Sequence, residues 1–304
     1  MRRALWVAAV LVTLLAAGRV FEAVMWNRDA RRDPEPGRQV GSWRIHCTGR
    51  GSPTVLLEAG LGDSLVEWRR VQPGVAEFTR VCSYDRAGYG GSEEGPYPRT
   101  SERIAEELHA LVRSAGESAP YVVVGHSAGG YHVRVFHGLY ASEVAGMVLV
   151  DAVQEDQYKM LPGWKEIARP VKERYQGQAR WAWLEVEFGI LRLRLWMQGI
   201  GAPYSLLQSK FFRTRWSELE QMEVSAEEAR AAGGLGEKPL VVLTGERGAL
   251  QGWKEVQARL VGLSADSKWV VLADSGHDVP AERPDAVIGA IREVARGERS
   301  SHPR

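Results

Sequence analysis

The sequence predicts an α/β protein: a doubly wound, mostly parallel sheet interrupted by a helical cap insertion and preceded by an N-terminal hydrophobic helix. Three observations carry this. Runs such as Thr54 to Gly60, Tyr121 to Val124 and Val144 to Val150 are too apolar for edge strands and read as strands covered on both faces. Stretches with helical periodicity alternate with them, as βαβ units require. From Val153 to Gly236 the alternation stops, and a segment of that length without a strand reads as a helical insertion rather than a loop.

The 304 residues allow one large domain or two modest ones, and 39 Lys plus Arg nearly balance 38 Asp plus Glu. That balance leaves no basic field for nucleic acid and no acidic tail, so a small molecule is the expected partner. The chain divides into an apolar leader (1–27), a linker (28–40) containing Pro34-Glu35-Pro36-Gly37, a core (41–152 and 237–296), a cap (153–236) and a tail (297–304).

In the leader, Arg2 and Arg3 precede an uncharged run from Ala4 to Gly18. The run is shorter than the roughly 20 residues of a spanning helix, and Ala16-Ala17-Gly18 resembles a signal cleavage site. If the helix instead continues through Arg19 and Glu22 to Trp26, it is a single-pass anchor. We favour the anchor; an amphipathic helix, or one packed on the folded domain, is the third reading. The domain is thus expected to be membrane-anchored or exported. Arg2 and Arg3 at one end face Arg28, Arg31 and Arg32 at the other, so charge bias fixes no orientation.

Next come two strands, Gly41 to Gly49 and Thr54 to Gly60, and then the loop Glu58-Ala59-Gly60-Leu61-Gly62-Asp63-Ser64. Its glycines let backbone amides approach a ligand, which suits half of an oxyanion hole or an ordinary strand-to-helix turn. Arg80 to Arg86 is a third strand, followed by Ala87-Gly88-Tyr89-Gly90-Gly91-Ser92, which lacks the spacing of a phosphate-binding loop. Thr100 or Ser101 caps a helix whose Ile104, Leu108, Leu111 and Val112 share one face, with His109 beside it as a structural histidine.

Tyr121 to Tyr140 compresses a buried strand, a sharp turn and a helix, with Gly125-His126-Ser127-Ala128-Gly129 at its centre. In a G-x-S-x-G turn small neighbours let the chain reverse tightly and hold the serine hydroxyl clear of the sheet, so Ser127 is the candidate nucleophile. The following strand ends in Asp151. Strands at Pro239 to Thr244 and Lys268 to Ala273 flank a helix with Trp253, Val256 and Leu260, and the last strand leads into Asp274-Ser275-Gly276-His277-Asp278. His277, late in the chain on a strand-end loop, completes the order nucleophile, acid, base. His126, His132, His137 and His302 compete poorly for that role. In the cap, Trp164, Trp181, Trp183, Trp196 and Trp216 are expected either to wall an apolar pocket or to form the cap's own core.

The pieces LLEAGLGDS, SYDRAGYGGS, VVVGHSAGG, VLVDA and DSGHDVP, in this order, resemble the α/β-hydrolase superfamily from about Gly41 to Val294. SYDRAGYGGS and GHSAGG resemble most the branch of proline iminopeptidases and related esterases. The resemblance implies Ser127 as nucleophile, His277 as base and the amides of Leu61 and Ala128 as oxyanion donors. Ser127 also argues against epoxide hydrolase and haloalkane dehalogenase chemistry, since those relatives need a carboxylate nucleophile there. The acid departs from the pattern. Where most members carry it, this chain reads Gly245-Glu246-Arg247-Gly248, so Asp151 is the first candidate and Glu246 the alternative; Asp151 also reads as a strand-end residue bonded to loop amides.

The expected chemistry is acyl transfer to water without metal or organic cofactor, since two cysteines and scattered histidines show no ligand spacing. An ester hydrolase acting on a fairly apolar substrate is the leading expectation. An aminopeptidase using Glu185 and Glu187 to hold a substrate ammonium is the second, and a non-catalytic ligand-binding member of the fold the third. By the family's topology the strands of Cys47 and Cys82 are neighbours, which permits a disulfide in an exported domain or two buried free thiols.

Overall fold

The apolar runs pair into one eight-stranded sheet in the computed structural model, which describes residues 2–32, 36–162, 164–199 and 207–297. Part of the expected linker (33–35), part of the insertion (200–206) and the tail with His302 (298–304) lie outside the described residues. The strands are β1 (Arg38–Val40), β2 (Trp43–Thr48), β3 (Thr54–Glu58), β4 (Val81–Asp85), β5 (Tyr121–His126), β6 (Val144–Val150), β7 (Leu240–Gly245) and β8 (Ser267–Leu272). Their order is β1-β2-β4-β3-β5-β6-β7-β8; β1 and β2 run antiparallel at one edge and β4 to β8 are parallel with β3 between them.

The helices are α1 (Arg2–Arg32), α2 (Gln72–Ala76), α3 (Ser101–Ser114), α4 (Gly129–Leu139), α5 (Gln157–Met160), α6 (Trp164–Glu187), α7 (Ile190–Met197), α8 (Ser209–Glu220), α9 (Met222–Ala231), α10 (Trp253–Val261), α11 (Val279–Glu282) and α12 (Pro284–Arg296). Side chains alternate along the central strands, so each strand feeds two cores. Val123, Met147 and Leu149 join Leu108, Leu111 and Phe136 on one face. Val122, Val124, Val148 and Val150 join Trp68, Val75, Val287 and Ile291 on the other. Double coverage explains why these strands read as unbroken apolar runs. Thr100 caps α3 by accepting from the Arg103 amide, and the face of Ile104, Leu108, Leu111 and Val112 is buried.

Two stretches expected as linker are ordered. Helix α1 continues to Arg32, and Arg38–Val40 pairs with β2 as an edge strand. Between β6 and β7 the described residues form helices α5 to α9, with a small core of Val186, Leu191 and Leu207 against Leu195 and Phe212. Cys47 and Cys82 sit directly opposite each other on β2 and β4, Cα atoms 4.1 Å apart, and are joined in a disulfide.

Candidate active site

Ser127 stands between β5 and α4 with φ of 50°, a backbone region unfavourable for any residue but glycine. The flanking glycines make this turn possible. A Cβ on Gly125 would lie 2.6 Å from the Gly129 carbonyl oxygen, and one on Gly129 would lie 2.7 Å from that of Glu58. The strain lifts the hydroxyl to the carboxyl end of the sheet, where Ser127 Oγ meets His277 Nε2 at 3.0 Å. On the other side of the ring, His277 Nδ1 meets Asp151 Oδ2 at 2.6 Å.

Asp151 is also at positive φ, 41°, as its side chain turns from the end of β6 toward the histidine loop. It is buried, and its Oδ1 accepts from the Gly245 amide at 3.1 Å and from Trp253 Nε1 at 2.8 Å. A carboxylate at Gly245 itself is sterically excluded, since a Cβ there would lie 2.1 Å from the Gly276 carbonyl oxygen. Strand β7 neighbours β6, so an acid displaced by one strand still reaches the same ring nitrogen. Glu246, the alternative acid, faces Lys254 on the surface. The imidazole itself is 58% exposed, leaving water access to the Ser127 side of the ring.

The loop after β3 passes close over the serine: a Cβ on Gly60 would lie 3.3 Å from Ser127 Cβ. Among the described residues neither the Leu61 amide nor the Ala128 amide has a hydrogen-bond partner, so both are available to a ligand. Arg86, from the SYDRAGYGGS segment, holds this loop from beneath. Its Nη1 donates to the Ala59 carbonyl and its Nη2 to that of Gly60, each at 2.7 Å. The buried guanidinium is paired with Glu58 at 2.6 Å and with Glu218 of α8 at 3.1 Å. Burial pushes the Glu58 carboxyl up to about 7 against the opposing pull of Arg86.

His126 forms a second buried device. Its Nε2 donates to the His277 carbonyl at 2.9 Å, and its Nδ1 contacts the Glu67 carboxylate, which also accepts from the Gly60 amide at 2.9 Å. Burial disfavours the imidazolium, but the charge and hydrogen bond of Glu67, with the His277 carbonyl and Asp151 adding to them, raise its pKa to about 9. One ion pair thus ties the histidine loop to the Gly60 loop. Sequence reasoning passed over His126, Glu67 and Arg86, although a charged residue inside an otherwise apolar or glycine-rich segment was the available signal.

Two cavities open on Ser127. One, of about 440 Å³, is polar, with Asp63, Glu67, Arg69 and Asp278 in its wall. The other, of about 270 Å³, is walled by Val153, Ala249, Leu250 and Trp253 on the side of Asp151. No tryptophan of the 153–236 insertion lines either cavity among the described residues. Trp181, Trp183 and Trp196 are at least half exposed, so these three neither wall the pocket nor form the cap's core. It is α8 that reaches the site, with Phe211 and Arg215 against Gly62. Glu185 and Glu187 pair with Arg194 and Arg19, and neither lines a cavity at Ser127. Among the described residues one group has metal-ligand proximity, Cys47, Cys82 and Glu117, and the disulfide removes its thiolates.

Fold and site together define a hydrolase of the α/β class. The family model described as alpha/beta hydrolase fold matches residues 53–284, and the chain belongs to that family. The chain is similar to the uncharacterized protein YqjL of Bacillus subtilis (strain 168), 27% identical over 260 residues, covering 82% of this chain and 86% of that one. Among solved structures it resembles a thermophilic esterase from Thermogutta terrifontis (25% identity, TM-score 0.62, covering 84% of this chain and 93% of the other). It also shares its fold with a putative epoxide hydrolase from Pseudomonas aeruginosa, solved as a t131d mutant (20% identity, TM-score 0.67, covering 84% and 93%).

Proposed function

We propose that this protein is a serine hydrolase that cleaves a carboxylic ester of a fairly apolar small molecule through an acyl-enzyme on Ser127. The observation that carries the reading is the continuous relay Asp151 Oδ2, His277, Ser127 Oγ, at 2.6 and 3.0 Å. Ser127 passes its proton to His277 Nε2 as Oγ attacks the ester carbonyl, and Asp151 stabilises the imidazolium. The amides of Leu61 and Ala128 hold the oxyanion. His277 then protonates the departing alcohol, and a water deprotonated by the same nitrogen cleaves the acyl-enzyme. The cavity with Val153, Ala249 and Leu250 receives the apolar part of the substrate, and the cavity with Asp63 and Asp278 its polar part.

An epoxide-opening reading, suggested by the epoxide hydrolases among its structural neighbours, fits the nucleophile poorly. Attack of a serine oxygen on an epoxide leaves an ether, which has no carbonyl for water to attack, whereas attack on an ester leaves a cleavable acyl group. Helix α1 anchors the protein in a membrane by its apolar N-terminal part: its best 18-residue window has a mean hydropathy of 2.1, and none of that window is buried. The Cys47–Cys82 disulfide supports a domain on the oxidising side of that membrane.

The test is hydrolysis of p-nitrophenyl acyl esters beside proline-p-nitroanilide, with wild type and Ser127→Ala, and labelling with a fluorophosphonate. Ester cleavage and labelling at Ser127, both lost in Ser127→Ala, are expected. A wild-type protein that cleaves neither substrate and takes no label would leave a non-catalytic ligand-binding protein.

A further inference from the structure

Helix α7 is apolar on two sides, and only one is covered. Leu191 and Leu195 pack into the small core between α6, α7 and α8. Ile190 and Leu193, each 48% exposed, and Trp196 and Met197, 76% and 68% exposed, project away from it. The helix has two charged residues and both are neutralised. Arg194 makes a bidentate pair with Glu185 at 3.0 Å, and Arg192 pairs with Glu22 and Asp29 of α1. A helix apolar on opposite sides, its charges paired, is at home between a protein core and lipid.

The packing of α1 indicates what covers this face. Gly18 of α1 lies against the turn between α6 and α7, where a Cβ would approach the Phe188 carbonyl oxygen to 2.3 Å, and Phe21 packs on Gly189 of the same turn. Arg19 pairs with Glu187 at 2.6 Å. Helix α1 is therefore fastened to the cap from Gly18 to Asp29, and only its apolar part before Gly18 projects free. From Ala4 to Ala17 that part measures ~21 Å at the helical rise, less than the ~30 Å of a bilayer's hydrocarbon core. If it enters a bilayer, the junction at Phe188-Gly189 is drawn down to the headgroups, and α7 begins at that junction.

We infer that the exposed face of α7 is a lipid-bilayer surface that seats the cap in the membrane interface beside the anchor. The inference rests on the membrane-anchoring reading of α1 and is independent of the chemistry at Ser127. Tryptophan and methionine flanked by neutralised arginines suit the zone where acyl chains meet headgroups. Helix α7 begins at the turn to which α1 is fastened, so one element enters the bilayer and the other lies upon it.

Both native cysteines are in the disulfide, so a single introduced cysteine carries an environment-sensitive nitrobenzoxadiazole label without competition. Three labelled variants of the full chain, Val12→Cys on α1, Trp196→Cys on α7 and Leu139→Cys on the core, are mixed with phosphatidylcholine/phosphatidylglycerol vesicles containing nitroxide-labelled lipid. Blue-shifted, quenched emission at positions 12 and 196, with none at 139, is expected. A response at 12 with silence at 196 overturns the inference and leaves the anchor standing. Silence at both overturns the inference and the anchor together. A concentration-dependent blue shift at 196 without vesicles assigns the face to a second copy of the chain and also overturns it.

Discussion

Replacing Asp151 with Asn removes one charge while preserving the shape of the site, and the geometry dictates the consequence. Oδ1 accepts two N–H donors, from Gly245 and Trp253, so the asparagine amide oxygen is held at that position. Its NH2 group is then forced into the place of Oδ2, facing His277 Nδ1 across 2.6 Å. There it donates, Nδ1 must accept, and the ring proton moves to Nε2, the atom that has to take the proton from Ser127 Oγ. The variant therefore loses both the charge that stabilises the imidazolium and the tautomer that starts the reaction. A fall in kcat of about 10³ to 10⁴, equivalent to ~4 to 5.5 kcal/mol, is expected. Because the two donors to Oδ1 keep their acceptor, the thermal midpoint should stay close to wild type. The assay is p-nitrophenyl ester turnover with the rate of fluorophosphonate labelling as a second readout. Activity within tenfold of wild type would refute the reasoning and pass the role to Glu246, whose Gln variant is otherwise expected to be silent because Glu246 faces Lys254.

Further outcomes follow from the same contacts. Adding Gly245→Asp to Asp151→Asn should not rescue turnover and should lower the thermal midpoint, since any Cβ at 245 collides with the Gly276 carbonyl; recovery of activity would refute that steric account. Arg86→Lys keeps a charge near Glu58 and Glu218 but not the fork on the Ala59 and Gly60 carbonyls, so kcat should fall roughly tenfold to a hundredfold, less than losing an oxyanion donor outright; unchanged kcat in a folded variant would separate Arg86 from the loop. Against the opposing effect of burial, the Glu67 carboxylate raises the pKa of His126 from its ordinary 6.5 to about 9, so the ion pair contributes stability that is present in full below pH 6.5 and is lost as the pH rises through 9. Urea unfolding at about pH 6 and about pH 9.5 should show wild type losing stability relative to His126→Gln, on the order of 3 kcal/mol, and a constant difference would contradict the buried charge. Cys47 and Cys82 are separated by 35 residues, so Cys47→Ser with Cys82→Ser should destabilise the domain. A loop of that length corresponds to about 3 to 4 kcal/mol by chain entropy, and an unaltered unfolding midpoint would remove the bond from the domain's stability.

The sequence by itself determined the sheet, because strands covered on both faces must be apolar throughout, and Val122 to Val124 and Met147 to Val150 cannot be placed otherwise. It also determined the serine turn, since Gly125 and Gly129 are the residues that such a reversal demands. Edge elements were less legible: Arg38–Val40 is too short and polar to stand out, and β8 carries a half-exposed pattern. What only the tertiary structure decided depends on neighbours remote in the chain. Asp151 and Glu246 are both carboxylates at strand ends, and only the fold sets the first 2.6 Å from His277 Nδ1 and the second beside Lys254. The tryptophans of the insertion read alike in sequence, yet Trp181, Trp183 and Trp196 face outward because the cap's small core is filled by Val186, Leu191 and Leu207. Burial by long-range packing, not local pattern, sets whether an aromatic lines a pocket or faces outward, and for that reason the chain's periodicity carries no trace of the choice.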